Sequence, residues 1–368
     1  MLQQAVVQCP CEKLILKRRP EDFRVVESPM PEACSPAQGA WQYLRLWKRG
    51  YTTFEAVALI AKYFACAEAE VGYAGLKDED AVTEQTVSLP AGVGQVEVDG
   101  FNRRYAAAGS ERLLWLAPLG YASEPLQVGR LLGNGFRISV RNLRPAVAAR
   151  IAGQRHSILF LNYYDVQRFG VPGGPRSSHL IGRALRDGRY AEALALVADS
   201  QSPQAASASL WNGSPEEFFS RLDPRVVSLY HNAASAHAWN DRLAGLLRDG
   251  YDASTGMSRE GLPFRFADDQ ETLAHLLATG PELLYRKHRP GPDRAITHKV
   301  SSRATVLQSQ IEAGPMDEDA FYPGRMCCDL SLFLPAGAYA TMALAQFLHQ
   351  RVCCAANMPA ATARSKLN

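Results

Sequence analysis

Residues 133–141 read Gly-Asn-Gly-Phe-Arg-Ile-Ser-Val-Arg, and this stretch gives the clearest indication of the fold. After a Gly-Asn-Gly turn, apolar residues starting at Phe136 alternate with polar ones. This pattern predicts a half-buried strand whose outer side is polar and partly basic. Apolar and aromatic runs over residues 41–47 and 329–334 predict two further strands.

Helices are predicted around and between these strands. Thr52-Thr53-Phe54-Glu55 is a capping box, with Thr at the cap and Glu three residues later, and it predicts the start of a helix. Residues 180–280 are rich in Ala and Leu at helical spacing. A last helix is predicted over residues 339–352. The expectation is an α+β protein whose two ends are interrupted by a mostly helical insertion.

Composition sets wide limits on function. The 368 residues are 47% hydrophobic, enough for two domains or for one large domain with an insertion. A formal net charge of +3 neither requires nor excludes a nucleic-acid partner. No run approaches the roughly 18 apolar residues of a membrane span, and residues 1–10 do not resemble a signal peptide. The expectation is therefore a soluble cytoplasmic protein with free thiols.

Common cofactor and metal motifs are absent from the sequence. It contains no GxxxxGK[ST] phosphate loop, no GxGxxG between a strand and a helix, no HExxH and no GxSxG. Its cysteines do not form CxxC pairs at zinc spacing, and its histidines are scattered. No cofactor and no metal are expected, so the chemistry must rest on carboxylates, amines or aromatic rings.

The densest group of such residues lies at 72–85, Gly-Tyr-Ala-Gly-Leu-Lys-Asp-Glu-Asp-Ala-Val-Thr-Glu-Gln. Composition alone favours a solvated acidic turn between a helix and a strand. A second interpretation places Asp78 and Asp80 on one face of a strand as a metal-binding pair, as in a metal-dependent nucleotidyl enzyme.

Residues 74–85 also resemble a motif of the TruD family of pseudouridine synthases, close to A-G-L-K-D-x-x-A-V-T-x-Q. Four further motifs occur in the family's order. They are K-x-x-P-E-D-F-x-V-x-E at 17–27, G-N-x-F at 133–136, N-Y-F-G-x-Q-R-F-G at 162–170, and L-P-A-G-S-Y-A-T at 334–341. Residues 180–325 are weakly covered by the resemblance.

The resemblance implies a fold and a division into domains. The fold is a pseudouridine synthase-type mixed-sheet catalytic core with a mostly helical, family-specific insertion domain. The implied core covers residues 1–157 and 311–368, and the implied TRUD-type insertion covers residues 158–310.

The resemblance also implies roles for single residues. Asp78 matches the family's catalytic aspartate, and Lys17 matches an active-site lysine that holds it ionised. Phe136 matches an aromatic residue that packs on the target base, and Asn134 is the polar group beside it. Arg168, within the Q-R-F-G motif, is expected to bind the substrate.

The expected partner is RNA. The family implies a tRNA, typically the uridine at position 13. We expect a stand-alone enzyme that acts as a monomer. Arg286, Lys287 and Arg289 lie in a basic stretch interpreted as a loop, and we expect them to contact phosphates. The rival function is a non-catalytic RNA-binding protein or RNA chaperone that retains the fold.

Several positions depart from the family pattern. Glu79 and Asp80 follow the catalytic aspartate, where the family usually has a basic residue. Asp165 replaces a glycine, and His179 stands where an asparagine is common. The two acids motivate the rival function, because negative charge beside Asp78 repels phosphate.

Overall fold

The computed structural model describes residues 6–9, 12–29, 39–107 and 109–354. Its strands, in chain order, are β1 (Val6–Cys9), β2 (Glu12–Ile15), β3 (Phe23–Pro29), β4 (Trp41–Arg49), β5 (Gly72–Tyr73), β6 (Val82–Pro90), β7 (Leu113–Ala122), β8 (Leu131–Leu143), β9 (Arg155–Leu161), β10 (Ser254–Arg259), β11 (Leu262–Ala267), β12 (Leu283–Pro290), β13 (Ile296–Arg303), β14 (Val306–Glu318) and β15 (Met326–Pro335).

The α-helices are α1 (Thr53–Tyr63), α2 (Gln95–Tyr105), α3 (Pro145–Ile151), α4 (Ser178–Arg186), α5 (Tyr190–Ala198), α6 (Ala205–Ser209), α7 (Pro215–Arg221), α8 (Pro224–Gly250), α9 (Gln270–Thr279) and α10 (Ala340–Leu348). Short 3₁₀ turns lie at Pro20–Asp22, Glu68–Glu70, Val166–Phe169 and Pro292–Arg294, and a π-helical turn at His349–Cys354. Within the described residues, no helix combines the length and the apolar character needed to cross a membrane.

The chain divides into two compact units. The first contains the described residues within 1–6, 13–157 and 309–340, and the second those within 7–12, 158–308 and 341–368. The boundaries between the units fall inside β1, β2, β9, β14 and α10.

A mixed sheet forms the centre of the first unit. Its strand order is β7-β4-β6-β3-β8-β15-β14-β9. β8 lies antiparallel between β3 and β15. β3 and β6 run parallel, with Arg24 opposite Val82, and parallel neighbours need a long crossover connection. Here the crossover contains β4 and α1. The sheet and its helices confirm the predicted α+β class.

The predicted strand at 133–141 is confirmed as part of β8, but the predicted Gly-Asn-Gly turn is wrong. Gly133 lies opposite Pro335, and Asn134 lies opposite Leu334, so both belong to the strand. A Cβ atom on Gly133 would collide with the carbonyl oxygen of Leu334. The glycine therefore permits a close approach of β15 rather than a turn.

The predicted capping box is confirmed at the start of α1. The Thr52 hydroxyl accepts a hydrogen bond from the Glu55 amide at 3.1 Å, and Glu55 accepts one from the Thr52 amide at 2.8 Å. α1 buries an apolar stripe within one core cluster of the first unit, and Leu44 and Leu46 of β4 belong to the same cluster. The alternation of β4 therefore directs every second side chain of that strand toward the core.

The second unit is helical as far as residue 250 and then contains two hairpins, β10–β11 and β12–β13. The helical interpretation of 180–280 is therefore confirmed for its first part, up to residue 250, and for α9, and it is wrong for 254–267. The basic stretch interpreted as a loop is the hairpin β12–β13, with Pro290-Gly291-Pro292 at its turn. Asn232 of α8 holds the edge of β12 through two 2.8 Å hydrogen bonds with the backbone of His288.

Candidate active site

Asp78 lies in the connection between β5 and β6, four residues before β6 begins at Val82. Its Oδ2 atom accepts a hydrogen bond from the Lys17 ammonium group at 3.2 Å. The Asp78 side chain is 35% exposed, whereas that of Lys17 is 8% exposed. The structure thus brings the two predicted catalytic residues together. The lysine is buried, and part of the carboxylate is exposed to solvent. Asp78 and Asp80 do not lie on a strand, so the predicted one-face metal pair is wrong in its geometry.

Lys17 is held by an aromatic ring and by an ordered segment. Its Nζ atom lies 4.8 Å from the centre of the Phe23 ring, a cation–π contact. Asp22 is buried, and its Oδ2 atom accepts hydrogen bonds from the backbone amides of Arg18 at 3.1 Å and Arg19 at 3.2 Å. This carboxylate therefore orders the segment that follows Lys17.

Arg141, on β8, holds Asp22 in turn. Two of its guanidinium nitrogens donate to Asp22 at 2.8 and 2.6 Å. Burial raises the pKa of Asp22, but the hydrogen bonds and charge of Arg141, with hydrogen bonds from Arg19, outweigh it and leave the pKa below its ordinary value. Asp22 is therefore ionised at neutral pH, and the Lys17 segment has a fixed charged anchor.

The backbone of the Asp78 turn is bonded at four groups, which belong to the three successive residues 77–79. The Lys77 amide donates to the Thr53 hydroxyl at 2.9 Å, and the Gly50 amide donates to the carbonyl of Glu79 at 3.1 Å. The Lys48 ammonium group donates to the carbonyls of Lys77 at 3.0 Å and of Asp78 at 2.6 Å. The turn is therefore rigid on the side away from the solvent.

Lys77 forms an ion pair with Glu27 of β3. The two charged atoms are 2.5 Å apart, and the side chains are 5% and 0% exposed. Glu27 also accepts a hydrogen bond from the Thr86 amide at 3.1 Å. The Lys77 ammonium group is therefore paired with Glu27. Lys17 is the cation that binds the Asp78 carboxylate.

Phe136 and Asn134 lie on β8, in the first unit with Asp78. The Phe136 ring meets Phe23 edge to face, with ring centres 6.1 Å apart. Phe23 therefore contacts both Lys17 and Phe136. Asn134 lies opposite Glu27 of β3. Its Oδ1 atom is buried without a hydrogen-bond partner in the described part of the chain.

Sequence reasoning missed several residues that build this site, above all Lys48, Glu27 and Phe23. Glu27 and Phe23 fall within the motif at 17–27, but no role was assigned to either. Lys48 could have been found by counting along β4, since it follows Leu44 and Leu46 at every second position and therefore points to the core.

The other predicted binding residues belong to the second unit. Arg168 lies in the 3₁₀ turn Val166–Phe169, and its Nε atom is buried without a hydrogen-bond partner in the described part of the chain. Arg286, Lys287 and Arg289 are exposed on β12. Across the hairpin, Lys287 lies directly opposite Lys299.

A cavity of about 590 Å³ adjoins the Asp78 turn on the side of Glu79 and Asp80. Two of its carboxylates are paired, since Arg49 binds Glu21 at 2.6 Å and Arg112 binds Glu55 at 2.8 Å. Glu79 and Asp80 thus line an acidic recess beside the Asp78 turn. Among the described residues, no group of three or more His, Cys, Asp or Glu side chains is placed to hold a metal ion.

Comparison with known proteins gives consistent matches. A family model described as tRNA pseudouridine synthase D (TruD) matches residues 6–209, more than half of the chain. The tRNA pseudouridine synthase D of Geotalea daltonii is 36% identical over 209 residues, which are 55% of this chain and 48% of the relative. That of Anaeromyxobacter sp. is 38% identical over 172 residues, covering 46% and 45%. The chain thus matches about half the length of these curated relatives.

One solved structure shares the fold. It is a crystal structure of a protein from Methanosarcina mazei, described there as TruD, with a TM-score of 0.58 and coverage of 94% of both chains. The two sequences are 17% identical. The likeness extends the agreement in fold to residues beyond the match of the family model.

Proposed function

The chain belongs to the TruD family, and on that premise we propose that it is a tRNA pseudouridine synthase with Asp78 as its nucleophile. The observation that carries the proposal is the 3.2 Å pair of a buried Lys17 and a partly exposed Asp78. A carboxylate that is paired with a buried cation and is itself partly exposed is suited to react with a nucleoside. We expect the protein to act as a cytoplasmic monomer.

The reaction balances without a co-reactant. The bond between N1 and the ribose C1′ breaks, the base turns, and C5 bonds to C1′. The proton at C5 leaves and N1 gains one, so nothing is oxidised or reduced. A carboxylate paired with an ammonium group needs no base to become a nucleophile. Asp78 adds to the nucleoside and leaves again, while Lys17 stabilises its charge.

Phe136 and Asn134 are proposed to bind the flipped uridine. Extrusion of a base from its stack costs a few kcal/mol. Stacking on an aromatic ring returns about 1–3 kcal/mol per base. The unpartnered Oδ1 atom of Asn134 offers an acceptor for an N–H group on the base edge. Arg168, whose buried Nε atom has no hydrogen-bond partner in the described part of the chain, is also proposed to bind the substrate.

The hairpin β12–β13 is proposed to bind the RNA backbone. Lys287 and Lys299 face each other across the strands, and the structure describes no ion pair for either. Like charges in such positions repel. A phosphate between them would relieve that repulsion, and the release of counterions from the RNA would further favour binding. Arg286 lies at the next position along β12 and so on the opposite face of the hairpin.

The acidic recess at Glu79 and Asp80 favours one side of Asp78 for the approach of the RNA. Carboxylates repel phosphate, so the backbone is expected to avoid this cavity and to approach Asp78 from its other side. These two acids also favour the rival function, an RNA-binding protein without activity. The two functions differ in product formation.

The test compares the unaltered protein with Asp78→Asn on tRNA transcripts. We expect the unaltered protein to form pseudouridine, and the variant to lose at least about 10³-fold in rate while its RNA affinity stays within about threefold. The control Asp249→Asn changes an exposed aspartate of α8 and should leave both unchanged. RNA binding without pseudouridine from the unaltered protein would establish the rival function. Mapping pseudouridines in total RNA from cells with and without the protein would identify the substrate.

A further inference from the structure

Lys48 is a fully buried lysine beneath the Asp78 turn. It ends the inward row of β4, and its side chain is 0% exposed. Its ammonium group donates to three backbone carbonyls, those of Tyr51 at 2.9 Å, Lys77 at 3.0 Å and Asp78 at 2.6 Å. A buried charge of this kind is unusual and needs a physical reason.

The three acceptors match the ammonium form. A protonated lysine has three N–H donors, whereas the neutral amine has two. Deprotonation would therefore leave one of these carbonyls without its donor. Two of the three carbonyls belong to the peptide groups on either side of the Asp78 Cα atom. The position of that Cα atom thus depends directly on the charge of Lys48.

We propose that Lys48 is a positioning residue for Asp78, which holds the backbone of the nucleophile in place from beneath the turn. The inference rests on the proposed function of Asp78. Displacing a reacting group by about 1 Å is enough to lower a rate by about 10²-fold. Loss of the Lys48 bonds should therefore reduce kcat rather than RNA binding.

The surroundings of Lys48 place its titration within reach of an assay. Burial lowers its pKa to about 8. The nearby charges act in both directions, since Asp78 and Glu79 favour the charged form and Lys77 and Lys17 oppose it. Tyr51 contributes its backbone carbonyl.

The first experiment compares Lys48→Met with Lys62→Met, a control at an exposed position of α1. For Lys48→Met we expect kcat to fall about 10²-fold, with KM for tRNA within about threefold. Hydrogen exchange in residues 74–81, which include the protected Lys77 amide, should become faster. Lys62→Met should change neither kcat nor exchange. If Lys48→Met folds and retains kcat within about threefold, or leaves exchange in 74–81 unchanged, the proposal is wrong.

The second experiment follows kcat of the unaltered protein from pH 7 to 9.5. It should fall above about pH 8, and in Lys48→Arg, which stays charged, the fall should move to higher pH. The folded-state pKa of Lys48 is below its ordinary value, so the unfolded chain binds more protons in this range. This group therefore makes the fold more stable as the pH rises, and a loss of kcat there is not unfolding.

The two experiments separate the inference from the proposed function. If the unaltered protein forms no pseudouridine, the proposed function fails, while the exchange of residues 74–81 still decides whether Lys48 orders the turn. If Lys48→Met does not fold, the pH profile decides. A kcat that is constant up to pH 9.5 would overturn the role of Lys48.

Discussion

Replacing Lys77 by Met tests the buried ion pair under the Asp78 turn. Lys77 and Glu27 are 2.5 Å apart with side chains 5% and 0% exposed, so the variant leaves a buried carboxylate without its cation. At an effective dielectric constant of about 20, the lost attraction is about 7 kcal/mol. Desolvation of the two ions opposes it by several kcal/mol per ion. We expect Lys77→Met to lower the free energy of unfolding of the first unit by about 3–5 kcal/mol.

The assay is a double-mutant cycle in urea, followed by tryptophan fluorescence. Glu27→Gln alone leaves the Lys77 ammonium group buried, and the double variant Lys77→Met with Glu27→Gln leaves no charge. The two single losses should therefore exceed the loss in the double variant by about 2 kcal/mol or more. Lys62→Met, at an exposed position, should stay within about 0.5 kcal/mol of the unaltered protein.

The result that refutes this reasoning is a cycle without coupling. If the two single losses add within about 0.5 kcal/mol, the two side chains act independently. The ion pair would then not fix the Lys77 side chain in place, and Lys77 could bind the substrate.

Two further predictions concern the second unit. Changing both Lys287 and Lys299 to Gln should weaken tRNA binding and reduce by about 2 the slope of the logarithm of affinity against the logarithm of salt concentration. The control Arg248→Gln, at an exposed position of α8, should leave this slope as it is. An unchanged slope in the double variant would contradict phosphate binding by the hairpin. Burial, with the charge of His237, lowers the pKa of His179 to about 4, so the stability this group contributes is present above pH 6.5 and is lost as the pH falls toward 4. Between about pH 7 and 4.5, the free energy of unfolding of His179→Phe should fall by about 3 kcal/mol less than that of the unaltered protein. Urea titrations at the two pH values measure this fall, and an equal fall in both proteins would contradict the prediction.

The parts of the fold that follow from local patterns were predictable. The alternation from Phe136 and the capping box at Thr52 act within a few residues, and the structure confirms both. The Gly-Asn-Gly stretch was misinterpreted because Gly133 serves a close approach to Leu334, about two hundred residues later in the chain. A turn and a close strand contact select the same residue type.

The site was predictable only where a motif marked it. The motifs at 17–27 and 74–85 led to Lys17 and Asp78, and the structure places the two in contact. Lys48 was missed because a lysine before Arg49-Gly50 suggests a solvated turn. Its burial depends on where β4 ends relative to the Asp78 turn, which is a property of the assembled sheet. Lys287 and Lys299 were not recognised as a pair because their opposition requires the register of the hairpin.

The parallel pairing of β3 with β6 has a consequence for how the protein tolerates change. Lys17 precedes β3 and Asp78 precedes β6, so the two meet because neighbouring parallel strands begin at the same edge of the sheet. A deletion of one residue inside either strand would turn Glu27 or Thr83 toward the opposite face of the sheet. It would also separate Asp78 from Lys17. Extra residues in the parts of the intervening crossover that lie away from Lys48, Gly50 and Thr53 would leave that meeting point unaltered, because those three residues bond to the Asp78 turn.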